Sequence, residues 1–369
     1  MTEAAPLSDA RIAEWRSCEA RLDTGGMRAH IAGFPDQLAA GVERAAPFVA
    51  HLPRPDPPAS AVLVLGMGGS AIGGDLAAAY TADRRRLPVV VHRGYGLPAG
   101  LDERAFVVAA SYSGNTEETL DGYEAAKARG LGAVVLTTGG RLADRARTAG
   151  DPILELPGGY PPRAALGHLL SGCTLSIARL DPGLDAAAES AALKRAAEEL
   201  RPAVGAWLAW SAENPALQIA ACFKDRLPLV YAGHPISIAA ARRWKAQLNE
   251  NGKIPAWVGE FPEHNHNEIV GFVADHPFGR RLCVVYLETP WDEDRVRRRL
   301  DFVHRFLAAK GAAQHRIHAA GRSPLATMLR LCALGDCASF LAAIIMGQDP
   351  TPVVPIEELK RTLAKGKMA

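Results

Sequence analysis

The chain has 369 residues, enough for two domains with cores of their own, and its 48% hydrophobic and 22% charged content is that of an ordinary soluble protein. A formal charge of +2 and no dominant basic stretch argue against nucleic acid as a main partner; the basic run 295–299 is broken by Val296 and reads as a solvated helix face. Residues 1–20 lack an apolar h-region, no apolar run approaches the ~18 residues of a membrane span, and the six cysteines form no CxxC pair, so a cytoplasmic chain with reduced cysteines and no membrane contact is expected.

Residues 7–48 have helical spacing and end at the proline-rich stretch 53–58. A strand at 61–65 runs into a glycine loop and a helix over 72–82. Strands follow at 87–92 and 106–110, then a helix over 117–129 and a strand at 133–137. Strands alternating with helices predict a parallel sheet covered on both faces. Residues 184–210 are rich in Ala, Glu and Leu and read as a helical connector. The same grammar then returns: an apolar run at 227–233, a helix over 237–248, strands at 254–259 and 282–287, a helix over 292–309 and a strand at 314–319. A helix over 325–346 and a proline-punctuated, helical tail complete the chain. The spacing predicts an α/β protein of two tandem doubly wound domains. Their expected bounds are 1–58 for an N-terminal helical segment, 59–183 for the first domain, 184–210 for the connector, 211–348 for the second domain and 349–369 for the tail.

Two loops carry most of the chemistry. Gly66-Met67-Gly68-Gly69-Ser70 and Ser111-Tyr112-Ser113-Gly114-Asn115-Thr116-Glu117-Glu118 each follow an apolar run and precede a helix. A strand, a small-residue turn and a helix start together cradle a phosphate, because the free N–H groups and the positive dipole end face the anion. Gly69, Ser70, Ser111, Ser113 and Thr116 are therefore expected to hold a phosphorylated small molecule. The first loop also fits a loose dinucleotide fingerprint, but that reading needs an acidic residue where the chain has Val91-His92-Arg93. Neither is it a Walker A loop, since no Gly-Lys-Ser/Thr follows. The corresponding strand ends of the second half, Gly233-His234-Pro235 and Glu288-Thr289-Pro290, are poor cradles, which assigns the phosphate to the first half.

Gly68-Gly69-Ser70 and Ser111-x-Ser113-Gly114-Asn115-Thr116-Glu117-Glu118 resemble the phosphosugar loops of the sugar isomerase (SIS) domain superfamily. The stretch 245–255, with Asn249-Glu250-Asn251, and the segment Pro262-Glu263-His264-Asn265-His266-Asn267-Glu268 resemble the bifunctional phosphoglucose/phosphomannose isomerase family. So do Pro162-Arg163, Gly347-x-Asp349-Pro350 and Leu359-Lys360. The resemblance implies a homodimeric enzyme acting on a hexose 6-phosphate through a cis-enediol, without cofactor or metal. It implies that Glu250 is the proton-shuttling base, and that His266, reaching into the partner subunit's site, opens the ring. Arg163 would stabilise the enediolate, as its planar guanidinium suits two oxygens. Lys360 would meet the ring oxygen, and Thr351 would relax discrimination at C2. Other readings of these residues stay open. Glu250 also reads as an exposed helix-end acid, Arg163 as a surface arginine after a turn, and His264 with His266 as a zinc-binding pair. A phosphosugar sensor, or an isomerase of another phosphosugar, fits the loops alone.

Overall fold

The computed structural model describes residues 7–274 and 278–364. Three helices open it: α1 (Asp9–Leu22), α2 (Met27–Ala32) and α3 (Phe34–His51). The first α/β unit then alternates β1 (Val62–Leu65), α4 (Gly68–Thr81), β2 (Val89–His92), β3 (Phe106–Ala110), α5 (Glu117–Ala128), β4 (Gly132–Thr137), α6 (Gly140–Ala149) and β5 (Ile153–Glu155). Three helices follow: α7 (Leu166–Leu180), α8 (Ala186–Trp207) and α9 (Pro215–Cys222). The second unit comprises β6 (Leu227–Ala232), α10 (Pro235–Glu250), β7 (Trp257–Glu260), β8 (Leu282–Glu288), α11 (Asp294–Ala309) and β9 (Ala313–His318). Helices α12 (Pro324–Ile345) and α13 (Val354–Ala364) close the described chain.

Both sheets are wholly parallel. The first has the order β2-β1-β3-β4-β5 and the second β7-β6-β8-β9. The shared order is the structural form of the repeat expected from the strand intervals. The interior strands β1 and β8 are buried along their whole length, as mostly apolar runs covered on both faces must be. In each sheet the first strand lies between the second and third, so the connections leave in opposite directions there. A crevice opens at the carboxyl ends of β1 and β3, where ligands bind in such folds.

One apolar cluster draws residues from both sheets and from α1, α3, α4, α7, α8, α9, α10 and α12. The segment 184–210 supplies Leu193, Ala196, Leu200 and Val204 to it, so this helix is part of the core. Helix α7, absent from the sequence reading, is buried along almost its whole length and carries Gly167 and Gly172. It packs so closely on α3 that a Cβ at Gly41 would lie 2.8 Å from the Gly167 carbonyl oxygen. Its polar residues His168, Ser171, Thr174 and Ser176 are buried with the apolar ones, so no solvent-facing stripe announces the helix. Helix α12 is, among the described residues, the one helix long and apolar enough to cross a membrane, but 94% of its most apolar window is buried inside the protein. It serves here as a core helix.

Candidate active site

Helices α4 and α5 begin at the carboxyl ends of β1 and β3 and neither has a side-chain cap, so their first N–H groups face the crevice. At α5 the capping position belongs to Thr116, but its hydroxyl accepts from Ser111 Oγ at 3.0 Å instead. Ser70 Oγ accepts the Tyr112 N–H at 3.1 Å and ties the two loops together. Ser113 is exposed, and its Oγ accepts the Asn115 N–H at 3.3 Å. Gly114 has φ +66°, and a Cβ there would overlap the Gly139 carbonyl. In the second unit the matching helix start is occupied by its own residues: the His234 side chain caps α10 and Ser237 completes a capping box. The first helix start of the second unit is thus closed from within, whereas both helix starts of the first unit lack a side-chain cap; α11, after β8, has none either.

A turn brings Arg163 to the first loop. Tyr112 Oη donates to the Pro157 carbonyl at 2.8 Å and accepts the Tyr160 N–H at 3.1 Å. Gln37 of α3 donates to the Ala164 carbonyl and accepts the Gly167 N–H. Gly69 permits the final approach, since a Cβ there would stand 2.8 Å from the Pro162 carbonyl oxygen and 2.9 Å from Arg163 Cα.

Arg163 is buried, so its donors must find acceptors. Nε donates to Asn251 Oδ1 at 2.6 Å, and Nη2 donates to the Pro350 and Thr351 carbonyls at 2.7 and 2.8 Å. Nη1 has no hydrogen bond among the described residues and points to Glu250, 3.6 Å from Oε2. Glu250 is the last residue of α10 and is half-buried, its side chain 25% exposed. Burial lowers the Arg163 pKa and the Glu250 charge opposes that. Behind Arg163, the buried pair Arg243–Asp336 spans α10 and α12 at 2.7 Å, and Arg243 also donates to the Arg163 carbonyl.

Thr351 lies at the same place. Its backbone binds Arg163, while its side chain packs on Gly25, and its Oγ1 is buried without a partner. Thr24 Oγ1 donates to Asp349, so the turn before α2 floors this corner of the site.

The expected residues Gly69, Ser70, Ser111, Thr116, Arg163, Glu250 and Thr351 are thus linked by a chain of contacts across the two loops and the turn, with Ser113 exposed on the second loop. His266 and Lys360 stand apart. His266 is exposed in a short turn after β7, and Lys360 is exposed on α13. Neither has a hydrogen bond or ion pair among the described residues. His264 is fully buried, stacked 4.7 Å from Phe261 and edge-on to Tyr231 at 4.6 Å. Burial pushes its pKa down to about 4. One histidine of the pair is in the core and the other in solvent, so the zinc-pair reading has no geometry here.

The sequence reading missed Lys253, Asn251 and His30 as site residues. Lys253 Nζ donates to the carbonyls of Glu250, Pro350 and Pro352 at 2.5, 3.3 and 2.6 Å, clamping α10 to the tail. Burial and the Arg163 charge hold its pKa below the usual lysine value, against the pull of Asp349 and Glu250. Burial also lowers His30, with Asp23 opposing and Arg163 reinforcing the shift. Asn251 and Lys253 lie inside a motif already singled out, whereas nothing in the local sequence points to His30.

Residues 212–363 match the sequence family described as the bacterial phospho-glucose isomerase C-terminal SIS domain. The chain is 36% identical over 310 residues to a bifunctional phosphoglucose/phosphomannose isomerase of Caldicellulosiruptor bescii, covering 83% of this chain and 90% of that one. It is 34% identical over 310 residues to the protein of the same name from Aquifex aeolicus, covering 84% and 92%. Its fold superposes on a hypothetical protein from Thermus thermophilus with a TM-score of 0.73 at 18% identity, over 96% of this chain and 94% of that one. With open phosphate-type loops beside a carboxylate and a buried arginine, and with relatives aligned along nine-tenths of their length, this chain belongs to the bifunctional phosphoglucose/phosphomannose isomerase family.

Proposed function

We propose that this protein is an aldose–ketose isomerase that interconverts glucose 6-phosphate and mannose 6-phosphate with fructose 6-phosphate. The observation that carries the reading is the facing pair Arg163–Glu250 set beside two uncapped helix starts. A phosphate held by Ser70, Ser111, Ser113, Thr116 and the N–H groups of the two loops leaves C1 and C2 to reach toward the second unit. Glu250 takes the proton from C2 and returns it to C1 of the cis-enediol. A carboxylate that is only half-buried keeps access to substrate while losing part of its hydration. Charge grows on O1 and O2 as the proton leaves, and Arg163 Nη1, the one guanidinium nitrogen with no hydrogen bond among the described residues, donates there. The reaction moves protons within one substrate, so it requires no redox partner.

Ring opening falls to His266, supplied by the second subunit of a homodimer, with Lys360 near the ring oxygen. Both residues lie beside apolar side chains that the single chain leaves in water: Val270 and Val273 are each 64% exposed, and Ile356, Leu359 and Leu363 are exposed on α13. Such surfaces support a subunit interface.

The test is turnover of purified protein with fructose 6-phosphate, following both aldose phosphates separately, with and without a chelator. Both products, formed at the same rate under chelation, are expected. Saturable binding with no product would replace this reading with a phosphosugar sensor.

A further inference from the structure

Three donor groups that the reaction does not use meet at the other end of the second sheet. Cys222 ends α9, Cys283 is the second residue of β8, and His315 is the third residue of β9. In the parallel register Cys283 pairs with Ala313 and Val285 with His315, so Cys283 and His315 sit on the same face of neighbouring strands. Helix α9 places Cys222 over that face. The two Sγ atoms and a ring nitrogen of His315 all lie within 4.8 Å of one another. Both cysteines are buried and free, while His315 is half-exposed and opens the cluster to solvent.

We propose that Cys222, Cys283 and His315 bind a zinc-type divalent cation, with water as the fourth ligand, as a staple joining α9 to β8 and the edge strand β9. Two thiolates and an imidazole are the donor set of a soft, tetrahedral ion. Zn–S bonds of about 2.3 Å and a Zn–N bond of about 2.0 Å place tetrahedral donors about 3.5–3.8 Å apart, so a contraction of about 1 Å closes the cage. The second sphere is already present. Arg226 Nε is buried with no hydrogen-bond partner among the described residues, and its charge acts on both cysteines. The cluster sits toward the amino ends of the strands, away from Glu250 and Arg163, so the ion supports the fold and leaves the isomerase chemistry untouched.

The experiment uses the full chain, reduced and stripped with a chelator, then titrated with Zn²⁺ by calorimetry and with Co²⁺ by absorption. The expected result is one ion per chain, a thiolate-to-cobalt charge-transfer band, and a rise in Tm of about 3 °C at Zn²⁺ a hundred-fold above its Kd. Cys222→Ser and His315→Gln should each weaken Zn²⁺ binding at least ten-fold and lose or diminish the band. His315→Gln is the control for folding, because the residue is half-exposed. Absence of stoichiometric binding to the stripped wild-type chain overturns the proposal. So does unchanged affinity in both variants, or a Cys222–Cys283 disulfide in the purified protein that persists in place of metal binding.

Discussion

A carboxylate at the end of a helix faces the carbonyls of the last turn and is destabilised by the dipole unless a cation offsets it. Glu250 is in that position, and two cations meet it: Arg163 through its side chain and Lys253 through the Glu250 carbonyl. The arrangement separates binding from chemistry at the level of single residues. Glu250→Gln keeps the shape and the phosphate grip, so substrate Kd should change little while kcat falls by roughly a hundred-fold or more. Ser113→Ala removes one hydroxyl from the phosphate loop, so binding of every phosphosugar should weaken by roughly ten-fold, the scale of a hydrogen bond to a charged group. Near-normal turnover in Glu250→Gln would remove it as the base. His264 makes a separate prediction. Its imidazole is neutral in the folded protein, with the pKa near 4, whereas an unfolded chain titrates near 6.5. Below pH 6.5 the unfolded state therefore takes up protons that the folded state refuses. Stability is complete above that pH and falls as pH drops toward 4, by on the order of 2 kcal/mol at pH 5. His264→Phe keeps the stack on Phe261, and its urea midpoint should lose less between pH 7 and pH 5 than the parent's. An equal loss in both proteins would show that another group titrates.

At the scale of elements, the site depends on how strands hand over to helices. The loop after β3 requires a left-handed residue packed against the backbone of the loop after β4, and only glycine meets both needs at position 114. Gly114→Ala should displace that loop, lower stability by more than about 1 kcal/mol and weaken phosphosugar binding with it. Calorimetry with an unreactive sugar phosphate reads the second effect directly. A variant with parental affinity would mean that the loop does not touch the phosphate. The second unit repeats the strand order but not the open helix start, since His234 and Ser237 satisfy α10 from within. Capping therefore closes the helix start that in the second unit corresponds to α4, and leaves that of α4 open to an anion.

For the whole molecule, the crevice exists because both halves share a core. Arg243 and Asp336 form a buried pair between α10 and α12, and the pair also holds the backbone of Arg163, which comes from the first half. Asp336→Asn leaves a buried guanidinium unpaired, a change of about 3–5 kcal/mol in such pairs, and kcat should fall with the stability because Arg163 loses its support. Unfolding by urea, read beside kcat, checks both. The homodimer reading has its own test. If His266 completes the partner's site, mixing Glu250→Gln with His266→Ala chains and allowing subunit exchange should restore about a quarter of parental activity, since half the dimers are mixed and each has one intact site. No recovery after proven exchange would place the whole site within one chain.

The sequence by itself determined the alternation of strands and helices, the repeat, and the two phosphate-type loops, because these rest on local periodicity and on residue types with few uses. Ser111 to Glu118 could be read in place, since a loop's hydroxyls and the helix start that follows are neighbours in the chain. It also marked Glu250 and Arg163, through motifs whose spacing carried the resemblance. Helices α6 and α7, strand β5, and the parts played by Gln37, Thr24 and His30 were decided only in three dimensions. Helix α7 buries its polar residues with its apolar ones and shows no solvent-facing stripe, and β5 is three residues long at a sheet edge. The N-terminal residues reach the site through contacts across 127 to 325 positions of chain, and no local pattern encodes such a distance. The same holds for the unlike fates of His264 and His266. Two positions apart in sequence, they differ because one ring has Phe261 and Tyr231 to pack against and the other has water.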